Sequence, residues 1–488
     1  MSNQPRVVIR KLPTGVPGLD EVLGGGIPEY SFNLLAGSPG TGKTTLAQQI
    51  MFANATPERP AIFFTLLGEP AVKMLRYQQQ FAFFDPARVG VDIHFVNLTE
   101  EVLHRNLDAV LERITDEVEQ HNPALVVVDS FRTVVRTVDS PGVTELDLQY
   151  FVQRLALRLT SWETTSFLIG EFAEGESRNP VFTVADGVIW LLNEVERNSS
   201  VRKLRVTKVR GQPALSGLHT LRIFEGGVEV FPRAPESRGV RGTRRAETRL
   251  STGVKELDEL MGGGIPAGDS VMVTGPTGSG KTILATQFIA AGIARGECGV
   301  IAVFEEHPDS YIQRARSLGF PLDEMIAAGK LDIVYLRPID LSVDETLQAI
   351  RGRIKRLGAS RVVIDSMSGF EMALAPTFRS DFRESYYRLL RALTALGITV
   401  ISTVEVVESN DYLRFAPFNI SFLADDLLAM RYIELRGELK KVLSVIKMRA
   451  SAHSTELRQY QLTDHGLEIG GTLRDYRGII TGVPEPQG

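Results

Sequence analysis

The chain has 488 residues, 43% hydrophobic and 23% charged, with a net charge of −5 and a single cysteine, Cys298. That length exceeds one ordinary core and suits two domains. The lone thiol excludes a disulfide framework, the seven histidines show no metal-ligand spacing, and the acidic balance weighs against a nucleic-acid partner.

The N-terminus, MSNQPRVVIRK, lacks the apolar stretch of a signal peptide, and no run approaches the roughly 20 apolar residues of a membrane span. The expectation is a cytoplasmic protein without membrane contact. Residues 11–50 read KLPTGVPGLDEVLGGGIPEYSFNLLAGSPGTGKTTLAQQI. Within them FNLLAG is a buried strand, followed by GSPGTGKT from Gly37 to Thr44. This matches the phosphate-binding pattern GxxxxGK[ST] in its required place, after a strand and at a helix start. Gly40, Thr41 and Gly42 let backbone N–H groups turn around phosphate oxygens. Lys43 reaches the terminal phosphates, Thr44 offers its hydroxyl to Mg²⁺, and Thr45 follows in the first helical turn.

AIFFTLL, VDIHFV, ALVVVD and TSFLIG continue as strands, with helical patterns over Leu107–Gln120 and Leu146–Leu159. This alternation predicts an α/β fold with a mostly parallel central sheet and helices on both faces. Asp129 ends a strand downstream of the P-loop, where a carboxylate can hold a metal-bound water. Gly187–Leu192, Lys203–Val209 and Leu221–Phe231 read as antiparallel strands added at one edge. Residues 232–249, PRAPESRGVRGTRRAETR, are a linker between a first domain over 1–231 and a second over 250–488.

The pattern then repeats. Residues 249–288 align with 11–50 without a gap at an offset of 238, and half the positions are identical. The second P-loop runs from Gly275 to Thr282 and supplies Gly278, Ser279, Gly280, Lys281, Thr282 and Ile283. Asp365 ends the strand equivalent to that of Asp129. With Thr44 and Thr282, the two aspartates form the predicted Mg²⁺ sites. No NKxD motif occurs, so ATP is favoured over GTP. Glu305 and Glu306 follow the next strand, at the position that faces the γ-phosphate in a RecA-type site. They are the predicted catalytic carboxylates. The offset places Leu67 and Gly68 opposite them, with Glu69 one position late. The first site is therefore expected to bind ATP and hydrolyse it poorly.

Both TG…LD…GGG…P entries, both P-loops, the EE pair, the IDS strand, KVRG at Lys208–Gly211, KMRASAH at Lys447–His453, DDLLAMRYIELRGE and ITGVP together resemble the KaiC family over nearly the whole chain. The resemblance implies two tandem RecA-like P-loop NTPase domains per subunit and a homohexamer of two stacked rings, with ATP at the subunit interfaces. It implies that Lys208, Arg210, Lys447, Arg449 and His453 reach a neighbour's nucleotide. It also implies an ATPase and serine autokinase in bacterial timing or signalling. The family's phosphorylated Ser-Thr pair matches Ser421 and Phe422, so one acceptor remains. Only Glu485–Gly488 follow Ile480–Pro484, which speaks against a KaiA-type activator. Asn97–Asn106 is shorter than the family loop tied to KaiB docking, and a KaiB-like partner stays open. Two other functions compete. A RecA-class DNA-binding ATPase would need basic loops beyond the linker. A scaffold that uses ATP only for assembly would not need the glutamate pair.

Overall fold

The computed structural model describes residues 8–66, 71–103, 107–130, 145–173, 179–196, 198–233, 248–336, 341–379, 382–406, 422–449, 451–474, 476–477 and 485–486. The chain divides into two compact units, Met1–Arg233 and Ala234–Gly488. Most of the arginine-rich linker lies outside the described residues.

The first unit holds β1 (Phe32–Gly37), α1 (Lys43–Asn54), β2 (Ala61–Thr65), α2 (Ala71–Gln78), β3 (Ile93–Asn97), α3 (Leu107–His121), β4 (Leu125–Asp129), α4 (Glu145–Ser161), β5 (Thr165–Gly170), β6 (Gly187–Glu196), β7 (Ser199–Val209), β8 (His219–Phe224) and β9 (Gly227–Phe231). Its nine-stranded sheet has the order β9-β8-β7-β6-β1-β5-β4-β2-β3. The strands from β6 to β3 in that order run parallel, and β7, β8 and β9 extend the sheet antiparallel. Two expectations are refined here. Gly187–Leu192 begins a strand parallel to β1, and the antiparallel set starts only at β7. Leu221–Phe231 is a hairpin, because Gly227 turns the chain at φ 111°.

The second unit repeats the plan with β10 (Ser270–Gly275), α5 (Lys281–Ala294), β11 (Gly299–Val303), α6 (Pro308–Arg316), β12 (Leu331–Tyr335), α7 (Val343–Leu357), β13 (Arg361–Asp365), α8 (Met367–Ala373), α9 (Phe382–Thr394), β14 (Thr399–Glu405), β15 (Asp426–Leu435), β16 (Glu438–Met448), β17 (Arg458–Thr463) and β18 (Gly466–Thr472). The order is β12-β11-β13-β14-β10-β15-β16-β17-β18. Each fold is thus α/β, with a mostly parallel sheet between helices.

Strand side chains alternate faces, so a strand covered on both sides must be apolar throughout. In the first unit Leu34, Ile62, Phe64, Val126 and Leu168 pack with α3 and α4. Leu35, Phe63, Val127, Phe167 and Ile169 pack with α1 on the other face. Met272, Val300, Val362 and Val400 meet α7 and α9, and Val271, Ile301, Val363 and Ile401 meet α5. Truncating one such side chain, Phe64→Ala for example, costs about 3–5 kcal/mol. These double-sided cores hold the strand ends still, and both P-loops and both strand-ending aspartates hang from those ends.

Candidate nucleotide-binding sites

Both P-loops close in the same way. Lys43 Nζ donates to the carbonyls of Gly37 and Ser38 at 2.8 Å each. Lys281 Nζ donates to those of Gly275 and Pro276 at 2.8 Å each. Thr41 and Ser279 brace their loops by donating to Ser38 O and Pro276 O, at 2.8 Å in both cases. Gly42 and Gly280 precede α1 and α5 with φ 102° and 101°, and neither helix start has a side-chain cap. First-turn N–H groups are therefore left for an anion, with the helix dipole behind them. A cleft of about 380 Å³ opens there in the first unit, lined by Gly40, Gly42, Lys43, Thr44, Thr45 and Asp129 among others. Burial lowers the pKa of both P-loop lysines. Glu171 and Asp129 oppose this at Lys43, as Glu405 and Asp365 do at Lys281.

The strand-ending aspartates sit beside the loops. Thr44 Oγ1 donates to Asp129 Oδ2 at 2.7 Å, across 85 residues of sequence. Burial pushes the Asp129 carboxyl up to about 6, against the Thr44 hydrogen bond and the Lys43 charge. Two oxygens held side by side, one a carboxylate that burial leaves under-solvated, suit a hard divalent cation that keeps part of its water. In the second unit Asp365 accepts instead from Thr403 Oγ1. The peptide after each aspartate is cis.

A further carboxylate at each site was not foreseen from sequence. Glu171 follows β5 and lines the first cleft. Glu405 ends β14 and accepts from Thr277 Oγ1 in the second loop. Their signal was an apolar strand ending in glutamate, LIGE and STVE, at one place in both repeats.

Glu305 and Glu306 turn to different helices. Ser366 Oγ donates to Glu305 Oε1 at 2.8 Å. A Cβ at Gly369, in the first turn of α8, would come within 2.6 Å of Glu305. Glu306 Oε2 instead pairs with Arg314 Nη1 on α6 at 2.7 Å. Leu67, Gly68 and Glu69 lie outside the described residues.

The cations of KVRG and KMRASAH do not meet the P-loop of their own domain. Arg210 Nη1 donates to Asp186 Oδ1 at 2.9 Å, and Asp186 Oδ2 accepts from the N–H of Phe32, where β1 begins. Arg449 Nη1 pairs with Asp425 at 3.3 Å, and Asp425 accepts from Ser270 N and Oγ, where β10 begins. The P-loops follow the other ends of these six-residue strands, about 17 Å away at 3.3 Å per residue. Lys208 and Lys447 sit at the same end, donating to the carbonyls of Thr183 at 3.0 Å and Ala424 at 2.6 Å. Burial, then the neighbouring arginine, lowers both lysine pKa values. His453 is half-buried in the connection from β16 to β17. Ser421 lies outside the described residues, and Phe422 is 64% exposed.

The added antiparallel strands reach over the phosphate loops. Ile223 on β8 and Leu462 on β17 press on the cap glycines, where a Cβ would come within 2.8 Å at Gly42 and 2.7 Å at Gly280. Tyr460 OH donates to Ser279 O at 2.6 Å. Phe81 and Ile223 also line the first cleft, an apolar flank that sequence reading missed.

Comparison with known proteins places this geometry. A family model described as "ATPase: KaiC" matches residues 12–235 and again 250–474. A circadian clock oscillator protein KaiC from Thermostichus vulcanus is 28% identical over 496 residues, covering 99% of this chain and 93% of that protein. KaiC from Picosynechococcus is 29% identical over 486 residues, covering 98% and 92%. KaiC 1 from Synechocystis is 29% identical over 492 residues, covering 98% and 93%.

Proposed function

This chain belongs to the KaiC family of ATPases, and on that premise we propose that it assembles into hexameric double rings whose second domain performs most of the ATP hydrolysis. The observation that carries this division is the Glu305-Glu306 pair following β11, at the same end of the parallel sheet from which the second P-loop leaves β10, where the first domain has Leu67 and Gly68.

In the proposed reaction the uncapped N–H groups at Gly280 and α5, with Lys281, bind and orient the phosphates. Thr282 and Asp365 would hold Mg²⁺, as Thr44 and Asp129 would in the first domain. Bound there, the cation neutralises charge on phosphate oxygens. Glu305, kept in place by Ser366 and by the lack of a side chain at Gly369, accepts the proton of the attacking water as the bond from the γ-phosphorus to the ADP oxygen breaks. The first domain binds ATP chiefly to hold subunits together.

Ring assembly is supported by the placement of Lys447 and Arg449. They begin about 17 Å from their own P-loop, so a neighbour's nucleotide is the one they could serve. The same arrangement would let Ser421 of one subunit take the γ-phosphoryl group of the next, with Phe422 unable to take a second. We place the protein in the cytoplasm; no described helix is long and apolar enough to cross a membrane.

The test is Glu305→Gln in the full chain. Hydrolysis should fall by about 10²–10⁴-fold with ATP binding retained. Hydrolysis that persists in this variant and disappears in Lys43→Ala rings that still assemble would reverse the assignment.

A further inference from the structure

Thr282, the P-loop threonine at the start of α5, is joined to Glu306 by a chain of contacts through two helices. Thr286 Oγ1 donates to Thr282 O at 2.8 Å. The Tyr311 hydroxyl lies 2.9 Å from the same Thr286 oxygen. Because the single Thr286 proton is committed to Thr282 O, Tyr311 is the donor. Arg314 lies over the Tyr311 ring, 5.0 Å from its centroid, and its Nη1 meets Glu306 Oε2 at 2.7 Å.

The Arg314 and Glu306 side chains are 44% and 30% exposed. An ion pair that open to solvent holds its partners weakly by charge alone. The constraint comes from beneath. Tyr311 is buried, and burial raises its pKa, so the hydroxyl remains a donor. A planar guanidinium stacked on a fixed ring loses little further freedom when it binds a carboxylate.

We infer that Tyr311 and Arg314 are positioning residues for the Glu305-Glu306 pair, tying its orientation to the helix that carries the second P-loop. The inference rests on reading that pair as the hydrolytic carboxylates. Glu306 is drawn toward α6 while Glu305 is held at α8, so two adjacent like charges are parted and Glu305 keeps one direction. The first domain offers an internal comparison. Gln48 stands at the repeat position of Thr286, and its Nε2 meets Met74 Sδ at 3.3 Å. Lys73 and Arg76 stand at the repeat positions of Tyr311 and Arg314, so the copy without the carboxylate pair keeps the arginine and lacks the tyrosine beneath it.

The experiment uses the full chain with ATP and Mg²⁺. Arg314→Ala should lower kcat by on the order of ten- to a hundredfold while KM for ATP stays within about twofold, since only the carboxylates lose their setting. Arg314→Lys keeps a charge for Glu306 and should recover part of the loss. Tyr311→Phe keeps the ring but loses the hydroxyl, and should fall between Arg314→Ala and the parent. Glu306→Gln combined with Arg314→Ala should be no slower than the slower single variant, because both break one contact. An unchanged kcat in Arg314→Ala, additive losses in the double variant, or a loss that only tracks missing ATP-binding protein would each overturn the inference. A dead Glu305→Gln beside a normal Arg314→Ala removes the positioning role alone. An active Glu305→Gln removes the reading beneath it as well.

Discussion

Asp129→Asn should stabilise the nucleotide-free first domain while weakening its hold on ATP and Mg²⁺. The Asp129 carboxyl rises from 3.8 to about 6 on folding, chiefly through burial. At about 1.4 kcal/mol per unit, the ionised group costs the folded state about 3 kcal/mol at neutral pH. The folded state binds this proton more tightly than the unfolded chain does. The favourable contribution is therefore complete below about pH 4 and lost as pH rises through about 6. Asparagine is neutral throughout and keeps an oxygen for the Thr44 hydroxyl. Its buried amide donors, if unpaired, return about 1–2 kcal/mol of that gain. The net expectation at pH 7.5 is a gain of about 1–2 kcal/mol; near pH 4.5 the ionisation cost falls to about 1 kcal/mol, and the gain disappears or reverses. Pulsed hydrogen exchange in urea, followed on the Leu125–Asp129 strand of the full chain, reads this unit apart from the other. ATP with Mg²⁺ should then favour the parent, because ligand binding adds stability only where affinity survives. An asparagine variant less stable than the parent at pH 7.5 without nucleotide, or a difference that ignores pH, would refute the reasoning.

Gly280→Ala should destabilise the second unit by about 2 kcal/mol, because φ 101° suits glycine and the new methyl meets Leu462; thermal unfolding with and without ATP measures it. Lys43→Ala should weaken the ring more than it lowers total hydrolysis. Light scattering with and without ATP checks this, and equal assembly in both conditions would count against it. Phosphopeptide mapping after incubation with ATP should find phosphate on Ser421 and none at Phe422, with Ser421→Ala as control. A bare Ser421 in hydrolysing rings leaves an ATPase without kinase activity.

What the sequence made legible was whatever is local or repeated. The P-loops declare themselves because glycine, lysine and threonine must stand at fixed spacing between a strand and a helix. Double-sided burial makes β1, β2, β4 and β5 read as apolar runs. Features that depend on sheet order stayed hidden. Glu171 and Glu405 look like ordinary turn residues until β1 is seen beside β5, and β10 beside β14, from which they are separated by some 130 residues. The relay to Glu306 was hidden for a related reason, since Tyr311 and Arg314 read as one buried and one solvated position on a short amphipathic helix. The hairpin at Gly227 was missed because two short strands with a two-residue turn resemble one long apolar stretch.

The distance between each domain's phosphate loop and its own KVRG or KMRASAH cations has a consequence for heredity. Where a cation serves the adjoining protomer, a defective allele silences a neighbour's intact loop, and loop-defective and cation-defective chains mixed together regain some working sites at their junctions. Co-expressing Lys281→Ala with Arg449→Ala chains should thus restore turnover that neither shows alone. The protein would be counted, genetically, by its junctions rather than by its chains.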